Sequence, residues 1–180
     1  IERLRGNLST AQRHIKAALD ISRVAGLADR EAVGLFRLSE LRLSAGQVDQ
    51  AVALVQTACQ QADNLRIDSI WALTRWVRGK AALEQKRPRD AMQDLREAER
   101  FFAEKQMCEE LIDSAFELGR AYYMLDRPRS ALRYLAIALS VVEEIAERLE
   151  SEPNRRTFLS DPRRSRLFDL IRTVKAEGPA

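Results

Sequence analysis

The sequence predicts an all-α chain, a solenoid of antiparallel helix pairs closed by a helix at its C-terminal end. Three observations carry this expectation. Apolar residues recur at helical rather than alternating spacing, the same small and apolar columns return every 40 residues, and only 7 Gly and 5 Pro interrupt 180 residues.

The leading copy, residues 1–25, is partial. Its second-helix columns are Ala11, Ile15 and Ala18, and residues 1–5 would be only the end of a first helix. With no initiator Met, we expect an excised piece whose array continued upstream. The next copy, about 29–63, opens with a helix carrying Phe36, Ser39 and Leu43. It turns at AGQVDQ and returns through Val48, Ala51, Val55 and Ala58. The third copy, about 67–104, repeats this with Trp76, Gly79 and Leu83, then Pro88, Ala91, Leu95 and Ala98. The fourth, about 108–148, has Phe116, Gly119 and Tyr123, then Pro128, Ala131, Leu135 and Ala138.

Ala131, Leu135, Ala138 and Leu139 lie at i, i+4, i+7 and i+8, one face of a helix. Pro88 and Pro128 fall where a first helical turn needs no N–H donor. Small residues at Gly79, Gly119, Ala131 and Ala138 let two helix backbones approach, and a bulky residue at Ala131 should overpack the seam by roughly 1–3 kcal/mol.

After about residue 150 the period breaks. Pro153 opens a short segment, and Asp161-Pro162 has the chemistry to start a last helix reaching about Lys175. Phe158, Leu159, Leu167, Phe168 and Ile171 would cover the flank of the last copy, as a terminal cap must. The expected organisation is thus a repeat array over 1–150 and a cap helix with tail over 151–180.

Leu118, Gly119, Tyr122 and Tyr123, followed by Pro128, Ala131, Leu135, Ala138 and Leu139, resemble the tetratricopeptide repeat. The 40-residue period departs from the family's 34 and resembles extended variants found in large bacterial signalling and transcription regulators and in scaffold proteins; HEAT and armadillo arrays compete on period alone. The resemblance implies a right-handed superhelical stack whose concave groove is lined by first helices. It also implies a protein-interaction module holding a peptide or helical segment of a partner, or of the same polypeptide. The residues expected to line that groove are Phe36, Arg37, Glu40, Trp76, Lys80, Glu84, Asp113, Phe116, Arg120 and Tyr123. Their alternating signs suggest a mixed-charge partner, with apolar groups against the aromatic column and a carboxylate against Lys80 and Arg120. Replacing Trp76 and Arg120 by Ala should then weaken capture with little effect on melting. The carboxylate clamp of the family is not reproduced, since Phe36, Glu40, Val77, Asp113 and Glu117 stand at the corresponding places, which disfavours a chaperone tail.

The alternative from another class is a regulatory sensor, the C-terminal part of a larger bacterial signalling ATPase, kinase or transcription regulator, which the Phe158-Leu159 tail resembles. Nucleic-acid binding is a minor alternative: Arg outnumbers Lys 25 to 5, but 27 acidic residues interleave and the net charge is only +3. Self-association through an open N-terminal edge is a further possibility. No Gly-rich phosphate loop, G-x-S-x-G or H-E-x-x-H motif is present, so neither an enzyme nor a cofactor is expected. Cys59, Cys108 and the single His14 have no metal-ligand spacing, which predicts no metal and a reduced, cytoplasmic setting. Cys59 should be a small buried hydrophobe, and no apolar run is long enough to span a bilayer.

Overall fold

The computed structural model describes residues 8–177, and among them nine helices and no strand follow one another. Helix α1 (Leu8–Val24) stands first. Three helix pairs come next: α2 (Ala28–Ser44) with α3 (Val48–Leu65), α4 (Asp68–Glu84) with α5 (Pro88–Glu104), and α6 (Cys108–Met124) with α7 (Pro128–Arg148). Short α8 (Glu152–Leu159) and α9 (Pro162–Glu177) complete the chain. The pairs start at Ala28, Asp68 and Cys108, so each begins 40 residues after the one before. The first-helix remnant expected at residues 1–5 lies outside the described residues.

The turns explain the regularity. Gly26, Gly46, Arg66, Lys86, Gln106 and Asp126, spaced every 20 residues, all take positive φ between 53° and 72°. At Gly46 the left-handed residue ends α2: the Gln47 N–H donates to the Arg42 carbonyl at 2.9 Å and the Gly46 N–H to that of Leu43 at 3.0 Å. Lys86–Arg87 and Asp126–Arg127 close α4 and α6 with the same pair of bonds. These bonds satisfy carbonyls that a helix C-terminus would otherwise leave orphaned.

The helices group into two compact units, one ending at Ala98 and one beginning at Glu99. In the first unit the expected columns form the core. Ala51, Val55, Ala58, Ala91, Leu95 and Ala98 have no exposed surface. A Cβ built on Gly79 would lie 2.6 Å from the Leu95 Cγ, so the α4–α5 approach depends on the missing side chain. Ala32, Ala62 and Ile70 form a further cluster, flanked by Val33, Leu65, Ile67 and Trp71, where α2, α3 and α4 meet.

In the second unit Ala131, Leu135 and Ala138 of α7 are likewise fully buried, and a Cβ on Gly119 would lie 2.5 Å from the Leu135 Cδ2. Helix α9 packs on α7 and reaches α6. Asp161 caps it by accepting the Arg163 backbone N–H at 2.8 Å. Burial alone would raise the Asp161 carboxyl, but the Arg163 side chain and amide hold it below the usual carboxylate range. Of the five residues expected to cover the flank, Leu167 is buried and Phe158, Leu159, Phe168 and Ile171 are half-buried. Val174 and Arg164, outside that set of five, are buried with Leu167.

Candidate functional site

The side chains singled out for recognition sit on the first helix of each pair, and burial divides them sharply. In the first unit Phe36 has no exposed surface and Trp76 only 4%. Both rings are packing groups rather than open platforms. The reason is geometric: a first helix here is packed on several sides. In α4 the buried set, Ile70, Ala72, Thr74, Trp76, Val77, Gly79, Ala81 and Leu83, goes around the helix instead of marking one stripe. Truncating Trp76 to Ala would therefore open a core cavity costing about 3–5 kcal/mol rather than leave melting unchanged. The Trp76 indole N–H is buried and has no hydrogen-bond acceptor.

What those rings do is hold cations at the surface. The Arg37 guanidinium lies 4.6 Å from the Phe36 ring centre and donates to the Glu40 Oε2 at 2.9 Å. The Glu40 side chain is 2% exposed and that of Arg37 48%. Lys80 lies over Trp76 at 5.6 Å. The second unit contains the same device with its order reversed: Arg120 donates to the Glu117 Oε2 at 2.6 Å, and again the carboxylate is the buried partner. Glu117 occupies the position of Arg37, and Arg120 that of Glu40, two periods on. Four of the alternating charges read as a sign of a mixed-charge partner are thus paired one turn apart within single helices, Arg37 with Glu40 and Glu117 with Arg120. In these two pairs the acidic member is buried and the basic one faces outward. Glu84 is exposed near the end of α4.

The remaining three residues belong to the second unit. Phe116 is half-buried. Asp113 and Tyr123 are engaged by the cap: Arg163 reaches the Asp113 Oδ2 at 3.3 Å, and the Tyr123 hydroxyl bonds the Glu177 carboxylate, which holds the Tyr123 pKa above its ordinary value. Beside them Arg164, only 1% exposed, donates through Nη2 to both Glu109 oxygens at 2.7 and 2.6 Å and lies 4.8 Å from the Phe158 ring centre. Helix α9 therefore occupies part of the α6 surface expected for a partner.

Against known structures, the chain is similar to a Podosopora anserina protein described as a kinesin light chain with nearly identical TPR-like repeats. Identity is 17%, coverage is 98% of this chain and 90% of that one, and the TM-score is 0.61. A point variant of that protein gives 18%, 97%, 88% and 0.61. MamA gives 15%, 97%, 91% and 0.54. The fold is tetratricopeptide-like. No family model matches the sequence, and no curated protein matches it.

Within this tetratricopeptide-like fold one polar cavity was missed by the reading of repeated columns. It measures about 460 Å³ and is lined by α3, α4 and α5, and none of the expected groove residues touches it. At its wall Asp94 accepts from Arg78 Nε at 2.6 Å and from Arg75 Nη1 at 3.0 Å. The bond to Asp94 raises the Arg78 pKa above its ordinary value. Arg75 also lies 3.5 Å from Glu97 and 4.0 Å from Asp63, and Arg87 is paired with Asp90, so the cations of the cavity are already answered by carboxylates. Among the described residues no group of three or more His, Cys, Asp or Glu is placed to hold a metal ion, and no helix is long and apolar enough to cross a membrane. Cys59 and Cys108 are both free, and burial raises the Cys59 thiol pKa.

Proposed function

We propose that the chain is a protein-interaction module that binds a peptide or helical segment through the outward-facing cations of its first helices. The supporting observation is their pre-organisation. Arg37 and Arg120 are each fixed by a carboxylate buried beneath them, and Arg37 and Lys80 lie over aromatic rings. A charged group already held in place loses little conformational freedom on binding, so more of its interaction energy appears as affinity. The favoured ligand is an acidic or C-terminal carboxylate group with apolar neighbours, since the guanidinium is suited to planar, bidentate contact. Arg37 and Lys80 act in the first unit; Arg120 beside Phe116 acts in the second. Two unpaired cysteines, one of them buried, fit a reducing, cytoplasmic setting for such a module.

The test is selection of peptides from a random library displayed on phage, followed by affinity measurement against Arg37→Glu, Lys80→Glu and Arg120→Glu. Selected peptides should be enriched in Asp and Glu and lose at least tenfold in affinity to one or more variants, with melting within a few degrees of the parent. Binders indifferent to all three substitutions would refute the proposal.

A further inference from the structure

The polar cavity of the middle pair stands where the last pair places two aromatic rings. Its wall includes Ala82 of α4 and Asp94 of α5. One period later the same two positions hold Tyr122 and Tyr134, whose rings stack 12° from parallel with centres 5.3 Å apart. Where the last pair packs two flat side chains, the middle pair has a methyl group, a carboxylate and about 460 Å³ of space, a volume ordinary for a small-molecule site. The repeat itself thus shows that flat aromatic groups fit at this position.

The lining selects among such groups. Charge is balanced: Arg75 and Arg78 share Asp94, Arg75 also lies 3.5 Å from Glu97, and Arg87 is paired with Asp90 at 2.6 Å. Three guanidiniums therefore meet three carboxylates. An ionic ligand would have to displace one of these pairs, and a neutral ligand displaces none. Hydrogen-bonding capacity, in contrast, is left over. The Arg75 Nε–H is buried without an acceptor. Gln85 accepts from Arg87 through Oε1 at 3.2 Å, which keeps its amide N–H groups for a ligand; Gln93 donates to Glu97 through Nε2 at 3.0 Å, which keeps its carbonyl. Gln56 adds an exposed carboxamide at the rim. A carboxamide pairs in the plane with an edge that sets an amino donor beside a ring-nitrogen acceptor, as adenine does, whereas a phenol offers a single hydroxyl.

We infer that the cavity lined by α3, α4 and α5 binds an uncharged purine base or nucleoside. Its ring takes the place that the two tyrosines fill in the last pair, and its edge is held by the carboxamides and the Arg75 Nε–H. The site is separate from the cations proposed above to meet a peptide, since neither Arg37 nor Lys80 lines it.

The probes are adenosine and inosine, titrated into the full chain and followed by saturation-transfer NMR. We expect saturable binding of at least one of them with a dissociation constant of about 1 mM or below. Replacing Gln56 and Gln85 together by Ala should weaken it at least fivefold. Ala82→Tyr, which supplies one of the missing rings, should abolish it, and Arg37→Glu should leave it unchanged. Gln56 is exposed and Gln85 half-buried, so circular dichroism should show their double variant folded and melting like the parent. Three results would overturn the inference: no binding of either nucleoside at about 5 mM, binding indifferent to the double Gln variant or to Ala82→Tyr, or binding of adenosine monophosphate or N-acetyltyrosinamide at least tenfold tighter than that of adenosine. The last would make the cavity an anion site or a seat for a partner's tyrosine.

Discussion

Gly119 and Leu135 offer the sharpest test of why two helices of a pair come so close. Replacing Gly119 by Ala places a methyl carbon 2.5 Å from the Leu135 Cδ2 and 2.6 Å from its Cγ, where ordinary contact begins near 3.4 Å. Leu135 is fully buried and must yield by nearly 1 Å, an overpacking that costs about 1–3 kcal/mol. Alanine restores about 1 kcal/mol of helix propensity, so the single substitution should lose about 1 kcal/mol net. Leu135→Ala alone should lose about 2–5 kcal/mol through the cavity it leaves. In the double variant the new methyl enters that cavity. The clash disappears while the propensity gain stays, so it should be no less stable than Leu135→Ala and up to about 1 kcal/mol more stable. Urea unfolding of the four proteins, followed by ellipticity at 222 nm, measures the cycle; a coupling of about 1–3 kcal/mol is expected. Additivity within about 0.5 kcal/mol would show that the close approach does not depend on the missing Cβ.

Two further outcomes follow from the middle pair and from Cys59. Asp94→Asn should lose about 2 kcal/mol in urea unfolding, less than a fully buried pair would because Arg75 and Arg78 keep some access to water. Replacing Arg75, Arg78 and Asp94 together by Leu should cost less than Asp94→Asn alone. Cys59, buried and with its thiol pKa raised by desolvation, should react with iodoacetamide at pH 8 at least tenfold more slowly than Cys108 in the folded protein, and the difference should vanish in denaturant.

How far the sequence could be read follows from which forces act alike in every copy. Packing between the two helices of a pair is the same problem solved three times. Its solution is therefore written in columns, Ala51 with Ala91 and Ala131, Val55 with Leu95 and Leu135, Ser39 with Gly79 and Gly119. All of these are buried. The turns are equally periodic but chemically silent. Left-handed backbone is recognisable at Gly26 and Gly46, whereas Arg66, Lys86, Gln106 and Asp126 adopt it without the residue that usually announces it. A residue type that varies while the conformation holds is one the tertiary structure imposes.

The candidate site was less legible because exposure, unlike helical phase, depends on what packs against each face. Phe36 and Trp76 were recognisable as a column, but large residues recur for packing as readily as for binding, and burial decided for packing. The Arg75–Asp94–Arg78 network stayed hidden because no column contains it. The same positions hold Leu35, Leu54 and Leu38 one period earlier, and Ala115, Tyr134 and Leu118 one period later. Where the outer pairs carry apolar and aromatic side chains, the middle pair sets two guanidiniums around one carboxylate. Such a network stabilises little beyond what leucines would supply, but it penalises any register that separates its members. A repeated fold whose copies are nearly interchangeable can slip by one copy. A polar contact confined to the middle pair makes that slip costly, which gives this departure from the repeat a physical reason to be there.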